Sequence, residues 1–285
     1  MPHRVRGFLA SWRLLAVAGS TTGATVLVLS GLGGTSAPVS VYHPLLSIHA
    51  QGTAEHLSQS NNWSGYNKGF LENFTTFHSI SAQWTVPTAT QHTKGEAENS
   101  ATWIGIGGGC LDTACTLSDN TLVQAGTEQD VAADGTASYS AWWEIVPVPS
   151  LSASIAVHPG DLISCSIAES VPEVWNITLN DVTDGQGFTQ TVPYPSTYLT
   201  AEWILETPVV LNTSGASGIA ALPNLTPTHF SQATVNGQSA GLNPAEGLQL
   251  VDSSGAALAT PSAPNPAANG FNDCTHATSC PAPTS

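Results

Sequence analysis

The strongest constraint on the fold is the row of short strand-forming runs that fills the chain from residue 60 onward. These runs are rich in valine, isoleucine, threonine and aromatic residues, and turn pairs such as Asp134-Gly135 and Asn236-Gly237 separate them. No segment of this part shows a sustained 3.6-residue apolar repeat with helix caps, so helices are not expected. The predicted strands are 62–69, 78–86, 100–106, 120–128, 137–146, 152–157, 161–168, 173–182, 187–193, 198–206, 218–222, 229–235 and 247–251. The pattern predicts an all-β fold, an antiparallel sandwich that spans residues 61–252.

The two ends of the chain differ from this strand-rich part. Residues 1–37 carry three arginines, then an apolar run, then small residues, which is typical of a signal peptide; an uncleaved N-terminal anchor is the alternative. Residues 38–60 are polar and irregular and are predicted to be a propeptide or linker. Residues 253–285 are rich in alanine, proline and serine and are predicted to be a loosely ordered tail.

Charge limits the partners that this protein can have. Only five residues are lysine or arginine, three of them within the first 13, against 20 aspartates and glutamates. Such an acidic chain lacks the positive charge that binds nucleic acid or anionic lipid, so neither is an expected partner, and no membrane partner is expected once the signal peptide is removed. Few cations are left to repel one another at low pH, which is compatible with activity in acid.

The cysteines agree with export from the cell. Cys110 and Cys115 lie five residues apart and Cys274 and Cys280 six apart, so two small disulfide loops are plausible. Cys165 is left over in an apolar strand and is predicted to be a buried free thiol. A metal site at the first pair would need further cysteine or histidine ligands nearby, and none is visible. No metal or cofactor is expected.

Two polar side chains lie in the middle of apolar strands. In the strand 198–206, Glu202 lies on the opposite side from Ala201 and Trp203, because successive strand residues point to opposite faces. Gln124 occupies an equally apolar strand. A glutamate on the solvated side of a half-buried strand is the simpler interpretation of Glu202.

Most hydrolase signatures are missing. There is no His-Glu-X-X-His motif of zinc peptidases and no Asp-Thr/Ser-Gly pair of aspartic peptidases. Residues 237–241 match the Gly-X-Ser-X-Gly pattern of a nucleophile elbow, but they lack its strand-turn-helix context. They are therefore predicted to form a hairpin turn. A glycosidase would need two carboxylates about 5–9.5 Å apart, for which Glu144 and Glu202 are candidates. Trp142 shares a strand face with Glu144, which would suit a sugar, a peptide or a purely structural role.

Gln124 and Glu202, in their local motifs, resemble the two catalytic positions of the glutamic peptidases, the eqolisin family. Further motifs follow in the family's order, and together they span about residues 62–235: Asn62-Trp63-Ser64-Gly65, Trp84-Thr85-Val86-Pro87, Thr102-Trp103-Ile104-Gly105-Ile106, Ser138-Tyr139-Ser140-Ala141-Trp142-Trp143-Glu144 and Gly160-Asp161-Leu162-Ile163. The resemblance implies a concanavalin A-like sandwich of two bent antiparallel sheets with a substrate groove on the concave face. It implies Glu202 as general base and Gln124 as oxyanion donor, with Trp103, Trp142, Glu144 and Glu128 binding substrate.

The chain departs from the family pattern at a few positions. Relatives have aspartate at the positions of Gly107 and Glu128, and an aromatic residue at that of Val146, so specificity and pH optimum are open. Family propeptides are often basic and block the groove by charge; residues 38–60 contain no lysine or arginine, so this mode of inhibition is not expected. The prediction is a secreted, acid-active, pepstatin-insensitive, monomeric endopeptidase acting on polypeptides. The alternative is a non-catalytic sandwich that binds peptide or carbohydrate.

Overall fold

The computed structural model describes residues 40–52, 57–211 and 217–284. The predicted signal peptide or anchor, residues 1–37, lies outside the described residues. No helix in the described ranges is both long enough and apolar enough to cross a membrane.

Strands make up almost all of the regular structure. The first eleven strands are β1 (Ser40–Tyr42), β2 (Ile48–Ala50), β3 (Ser58–Ser60), β4 (Trp63–Gly69), β5 (Ser79–Thr85), β6 (Ala89–Thr90), β7 (Ala101–Gly107), β8 (Leu122–Val131), β9 (Ala137–Ile145), β10 (Leu151–Ser152) and β11 (Leu162–Val171). The remaining described strands are β12 (Val174–Asp181), β13 (Gln186–Pro193), β14 (Thr200–Glu206), β15 (Val209–Leu211), β16 (Ser217–Ile219), β17 (Asn224–Leu225), β18 (Thr228–Val235), β19 (Gln238–Ser239), β20 (Gly247–Val251), β21 (Ala257–Pro261) and β22 (Phe271–Thr275). A short helix α1 (Phe70–Asn73) and a 3₁₀ turn (Pro244–Glu246) complete the described elements. The all-β prediction is confirmed.

Two antiparallel sheets pack face to face. The first has the order β9-β8-β7-β14-β4, and the second has the order β13-β12-β11-β5-β18-β22. Strands β20 and β21 connect the two sheets along one side, because β20 pairs with β4 and β21 pairs with β22. The sandwich that the sequence predicts is therefore the observed architecture.

Residue alternation decides which side of β14 meets the core. Ala201 and Trp203 are fully buried in the cluster between the sheets, with large side chains of the second sheet such as Trp175 and Phe230. Glu202 and Ile204 point to the other face of the first sheet, as their spacing predicts. That face carries Glu128, Gln124, Glu144, Glu202 and Glu206, and is called the acidic face below.

The segment after Ser253 differs from its prediction as a loose tail. It forms β21 and β22, which pair with each other, and β22 also pairs with β18. Phe271 is completely buried and contacts Tyr66 and Phe230, with ring centroids 4.7 Å and 4.8 Å away. One large apolar residue thus anchors a segment whose small and polar composition resembles that of disordered chain.

Residues 152–157 also differ from prediction, since pairing ends at Ser152. Ala153, Ile155 and Val157 are buried in alternation against the core, but after Ala153, whose N–H bonds the Ala141 carbonyl, the segment joins no described ladder. Alternating burial therefore does not by itself produce a strand here.

The cysteine predictions are confirmed. Cys110 is bonded to Cys115 and Cys274 to Cys280, while Cys165 is a buried free thiol. Burial raises the pKa of the Cys165 thiol, so it remains neutral. The predicted turn at Asn236-Gly237 is the hairpin between β18 and β19.

Candidate active site

Gln124 and Glu202 lie in one cross-strand row of the acidic face. Gly105, in the middle strand β7, pairs with Glu202 of β14 on one side and with Gln124 of β8 on the other. Directly paired residues point to the same face, so both side chains flank a position that has no side chain. Adjacent strands are about 4.8 Å apart, which places the two backbones roughly 10 Å apart. Glu144 and Asn67 extend the row at its two ends.

Glu202 is fully buried, and neither carboxyl oxygen has a hydrogen-bond partner among the described residues. Gly109 packs directly against it: a Cβ there would lie 2.6 Å from Oε1 of Glu202 and would collide with the Asn67 side chain. Burial raises the pKa of Glu202 well above its usual value. The nearby Thr200 side chain lowers this pKa in part, and the negative charge of Asp119 raises it further. A buried carboxyl group without partners is costly in a purely structural role.

Gln124 donates two hydrogen bonds from its amide nitrogen. One goes to Oε2 of Glu144 at 3.1 Å, and the other to the main-chain carbonyl of His43 at 2.8 Å. Burial raises the pKa of Glu144 to about 8, and the charge of Glu206 adds to this, while the charge of His43 and the bond from Gln124 act against it. A protonated Glu144 can also donate a hydrogen bond.

A segment from the N-terminal side, residues 41–47, lies across the acidic face and is called the covering segment. The His43 ring contacts Glu128 and Glu206, which both pair with Ala101 at one end of β7. Its carbonyl binds Gln124 beside Gly105, and the N–H of Leu46 binds the carbonyl of Gly108 at 3.1 Å. The covering segment therefore runs along β7 and passes between Gln124 and Glu202.

The His43 side chain is completely buried between two carboxylates. Nδ1 lies 3.1 Å from Oε2 of Glu206, and Nε2 lies 3.2 Å from Oε1 of Glu128. The ring stacks on Trp142 with centroids 3.6 Å apart and planes 4° apart. A protonated imidazole donates from both ring nitrogens, and a carboxylate oxygen is placed to accept at each of them. Burial alone would lower its pKa, but the two carboxylates outweigh burial and raise the pKa to about 10.

Trp103 fixes the second carboxylate of this pocket. Its indole nitrogen donates to Oε2 of Glu206 at 2.8 Å, and its ring packs edge-on against Trp63. Burial raises the pKa of Glu206, and the bonds from His43 and Trp103 partly offset that rise. All predicted site residues thus lie on one face, with Trp103, Trp142 and Glu128 about His43 and Glu144 beside Gln124.

Residues 61–267 match the model of the Peptidase A4 family. The chain belongs to this family. These enzymes are the glutamic peptidases, or eqolisins, and the chain is accordingly a glutamic endopeptidase. A search of curated protein sequences finds no match.

Solved structures of glutamic peptidases share the fold. Scytalido-glutamic peptidase with a transition state analog inhibitor is 21% identical with a TM-score of 0.59, over 75% of this chain and 98% of that one. SCP-B, an eqolisin in complex with the tripeptide Ala-Ile-His, is 19% identical with a TM-score of 0.52, over 75% and 98%. Aspergilloglutamic peptidase from Aspergillus niger is 25% identical with a TM-score of 0.50, over 62% and 99%. The eqolisin sandwich is confirmed.

Two residues of the peptidase's acidic face were not predicted from sequence as site residues. Glu206 shares the strand side of Glu202, and this parity was the only signal for it. His43 lies in a polar segment without any motif, and nothing local connects it to strands β8 and β14. Residues 38–60 lack lysine and arginine, but His43 in this segment contacts Glu128 and Glu206 on the acidic face.

One group of potential metal ligands occurs among the described residues of the peptidase, away from these strands. Donor atoms of His158, Asp161 and Asp184 lie within 4.8 Å of one another, and two of the three residues are exposed. His158 Nδ1 lies 3.3 Å from Asp161 and 3.7 Å from Asp184, so the histidine contacts both carboxylates. The cluster is explained by contacts between one histidine and two carboxylates in turns.

Proposed function

We propose that Glu202 and Gln124 catalyse peptide-bond hydrolysis, with Glu202 as general base and Gln124 as oxyanion donor. The observation that supports this most directly is the 2.8 Å hydrogen bond from the Gln124 amide to a peptide carbonyl, that of His43. A donor that binds the carbonyl of one peptide lying along β7 is placed to bind the carbonyl of another. Glu202 flanks the same position from the opposite strand.

The proposed reaction follows from these two groups. Ionised Glu202 takes a proton from a water molecule while the water oxygen bonds to the carbonyl carbon of the substrate. The carbonyl oxygen becomes negative and accepts a hydrogen bond from the amide N–H of Gln124. This amide carries no titrating charge, so it remains a donor in acid. Glu202 then passes the proton to the amide nitrogen, the carbon–nitrogen bond breaks, and a carboxylic acid and an amine leave.

Acid activity is part of the proposal. With the covering segment bound, burial raises the pKa of Glu202, which reduces the ionised fraction of the carboxyl group and slows its action as a base. Removal of the segment would let water reach the carboxyl group, and its pKa would fall toward the ordinary ~4.3 of glutamate. Glu202 would then be partly ionised at about pH 4–5, so activity is expected in that range.

The other residues of the acidic face are proposed to bind substrate. Trp103 and Trp142 are aromatic walls, and Glu128 and Glu144 are polar groups that border the position of the bound peptide. The enzyme is expected to act as a monomer on polypeptides, outside the cell and without a cofactor. The two disulfides agree with an oxidising compartment.

Residues 38–60 are proposed to be a propeptide. The covering segment occupies the path along β7, so a substrate cannot bind there until the segment leaves. A synthetic peptide of residues 38–52, added to protein whose N-terminal segment has been removed, is expected to inhibit digestion competitively. The same peptide with His43→Ala should inhibit at least ~10-fold more weakly, because a buried charge-assisted contact is lost. Equal inhibition by both peptides would contradict the proposed block.

Mutation of the two catalytic positions tests the proposed function. Wild type, Glu202→Gln and Gln124→Ala digest denatured protein at pH 2–6 in the presence of pepstatin and a chelator. Each variant is expected to lose at least ~100-fold in kcat/KM, the scale of one oxyanion donor. Glu96→Gln, the same chemical change at an exposed loop position, is the matched control and should match wild type. Full activity in either variant would reject the assignment, and loss of wild-type activity to the chelator would indicate a metal enzyme.

A further inference from the structure

The covering segment shows which side chain the acidic face accepts next to a bound carbonyl. One residue, His43, supplies both the carbonyl held by Gln124 and the side chain held by the pocket. Under the proposed function, the carbonyl at Gln124 is that of the bond to be cut. The His43 side chain then occupies the place of the substrate residue on the acyl side of that bond.

The pocket around His43 has the shape and charge to bind a planar cation. Glu206 and Glu128 contact its two ring nitrogens from opposite strands, and Trp142 lies parallel to the ring at 3.6 Å. Trp103 holds the Glu206 carboxyl group in place, and Glu206 has no exposure to solvent. Stacking on tryptophan favours planar cations, and two carboxylates disfavour an acidic or neutral side chain that would leave them without a partner.

Two further carboxyl groups lie near the pocket, but burial raises their pKa values to about 7 and about 8, so neither adds negative charge at pH 5. Asp130 follows Glu128 on the same side of β8, and Glu144 lies beside Gln124 on β9. Apart from His43, no residue in the described part of the chain that contacts this pocket brings a positive charge to it.

We propose that this pocket is the specificity subsite of the peptidase and selects histidine or arginine on the acyl side of the cleaved bond. Glu128 and Glu206 are its charge determinants, and Trp142 is its stacking surface. The proposal rests on the proposed function, because it takes Gln124 as the group that binds the scissile carbonyl.

The residue after His43 explains how the segment can bind in this way and stay intact. The bond at Gln124 joins His43 to Pro44, whose ring nitrogen carries no N–H and whose backbone is fixed by the ring. Hydrolysis there would require protonation of a tertiary amide nitrogen on the side that the ring restricts. Pro44→Ala replaces this bond with an ordinary secondary amide, so the variant is expected to cleave itself after His43 in acid.

Matched peptides test the subsite. Four peptides differ only at the acyl-side residue, which is histidine, arginine, leucine or glutamate, and are digested at pH 5, where a free histidine is protonated. The kcat/KM for histidine and for arginine is expected to exceed that for leucine by at least ~10-fold, and glutamate should be cut most slowly. In Glu128→Gln and Trp142→Ala the histidine-to-leucine ratio should fall by at least ~5-fold, whereas Glu96→Gln should keep the wild-type ratio.

The outcomes separate the subsite from the proposed function. Activity that depends on Gln124 and Glu202 but shows no preference for histidine or arginine overturns the subsite and leaves the catalytic proposal standing. Activity that survives Gln124→Ala overturns the catalytic proposal and the subsite with it. Should Glu128→Gln or Trp142→Ala fail to fold, the wild-type ratios decide. Mass spectrometry of Pro44→Ala supplies a second readout. A cut after residue 43 that disappears in Pro44→Ala/Gln124→Ala supports the placement of the His43 carbonyl at the position of the scissile carbonyl. An uncut chain in an active enzyme contradicts this placement.

Discussion

At the scale of single residues, the candidate site depends on positions that lack a side chain. Gly105 separates Gln124 from Glu202, and a Cβ there would lie 2.9 Å from both the Trp103 ring and the Leu122 side chain. Gly109 forms the wall behind Glu202, and Asn67 holds the adjacent chain by bonding the N–H and the carbonyl of Cys110. Small residues here determine where the carboxyl group lies.

Replacement of Gly109 by alanine should therefore damage activity. The added methyl group would push the Asn67 side chain and the Glu202 carboxyl group out of position, at a cost of about 1–3 kcal/mol of folding stability. We expect kcat/KM to fall at least ~10-fold, because misplacement of a catalytic group by about 1 Å is costly. Peptide digestion and thermal unfolding measure the two effects. Gly218→Ala is the control, since a Cβ there has no neighbour within 4 Å; identical behaviour of the two variants would contradict the argument.

At the scale of elements, local sequence identifies strands but not their neighbours. Period-two alternation correctly predicts β14 and the face of Glu202, since only the residues themselves decide it. That Gln124 and Glu202 share a row at Gly105 depends on β7 lying between β8 and β14, which no local pattern encodes. His43 is missed for the same reason, because its partners Glu128 and Glu206 are 85 and 163 residues away.

The C-terminal strands give an element-scale prediction. Phe271 of β22 fills the space between Tyr66 and Phe230, and its truncation would leave a cavity. Phe271→Ala is expected to reduce the free energy of unfolding by about 3–5 kcal/mol. Phe74→Ala removes the same group from a side chain that is 82% exposed and should change stability by less than about 0.5 kcal/mol. Urea unfolding of both variants is the measurement, and equal stabilities would show that the tail is as loose as its composition suggests.

At the scale of the whole molecule, buried carboxyl groups make stability depend on pH. Burial is the first cause in each case: it raises the pKa of Asp130 to about 7, with help from the charge of Glu128, and those of Glu144 and Asp273 to about 8. The unfolded chain has its carboxyl pKa values near ~4, so between about pH 4 and 8 the folded protein binds more protons. Stability must then fall as pH rises through this window. His43 acts in the same direction at higher pH, since its contribution is complete below ~6.5 and is lost as pH rises through about 10.

Melting temperature should follow this direction. In Gln124→Ala, chosen to prevent self-digestion, we expect Tm to be about 5 °C or more lower at pH 8 than at pH 5, as a change of about 2 kcal/mol would produce. Asp273→Asn, added to this variant, should narrow the difference, because an amide has no proton to lose. A Tm that rises from pH 5 to pH 8 would contradict the assignment of these groups as protonated in the folded state.

The linking role of β20, β21 and β22 has a consequence for protein synthesis. Strand β4, beside the strand that carries Glu202, takes β20 as its other neighbour, and β5 of the opposite sheet pairs with β18, which in turn pairs with β22. The sheets that support the acidic face are therefore incomplete until residues near 275 have left the ribosome. We expect nascent and truncated chains to have no peptidase activity. A producing cell is then exposed to active peptidase only after translation of the domain has ended.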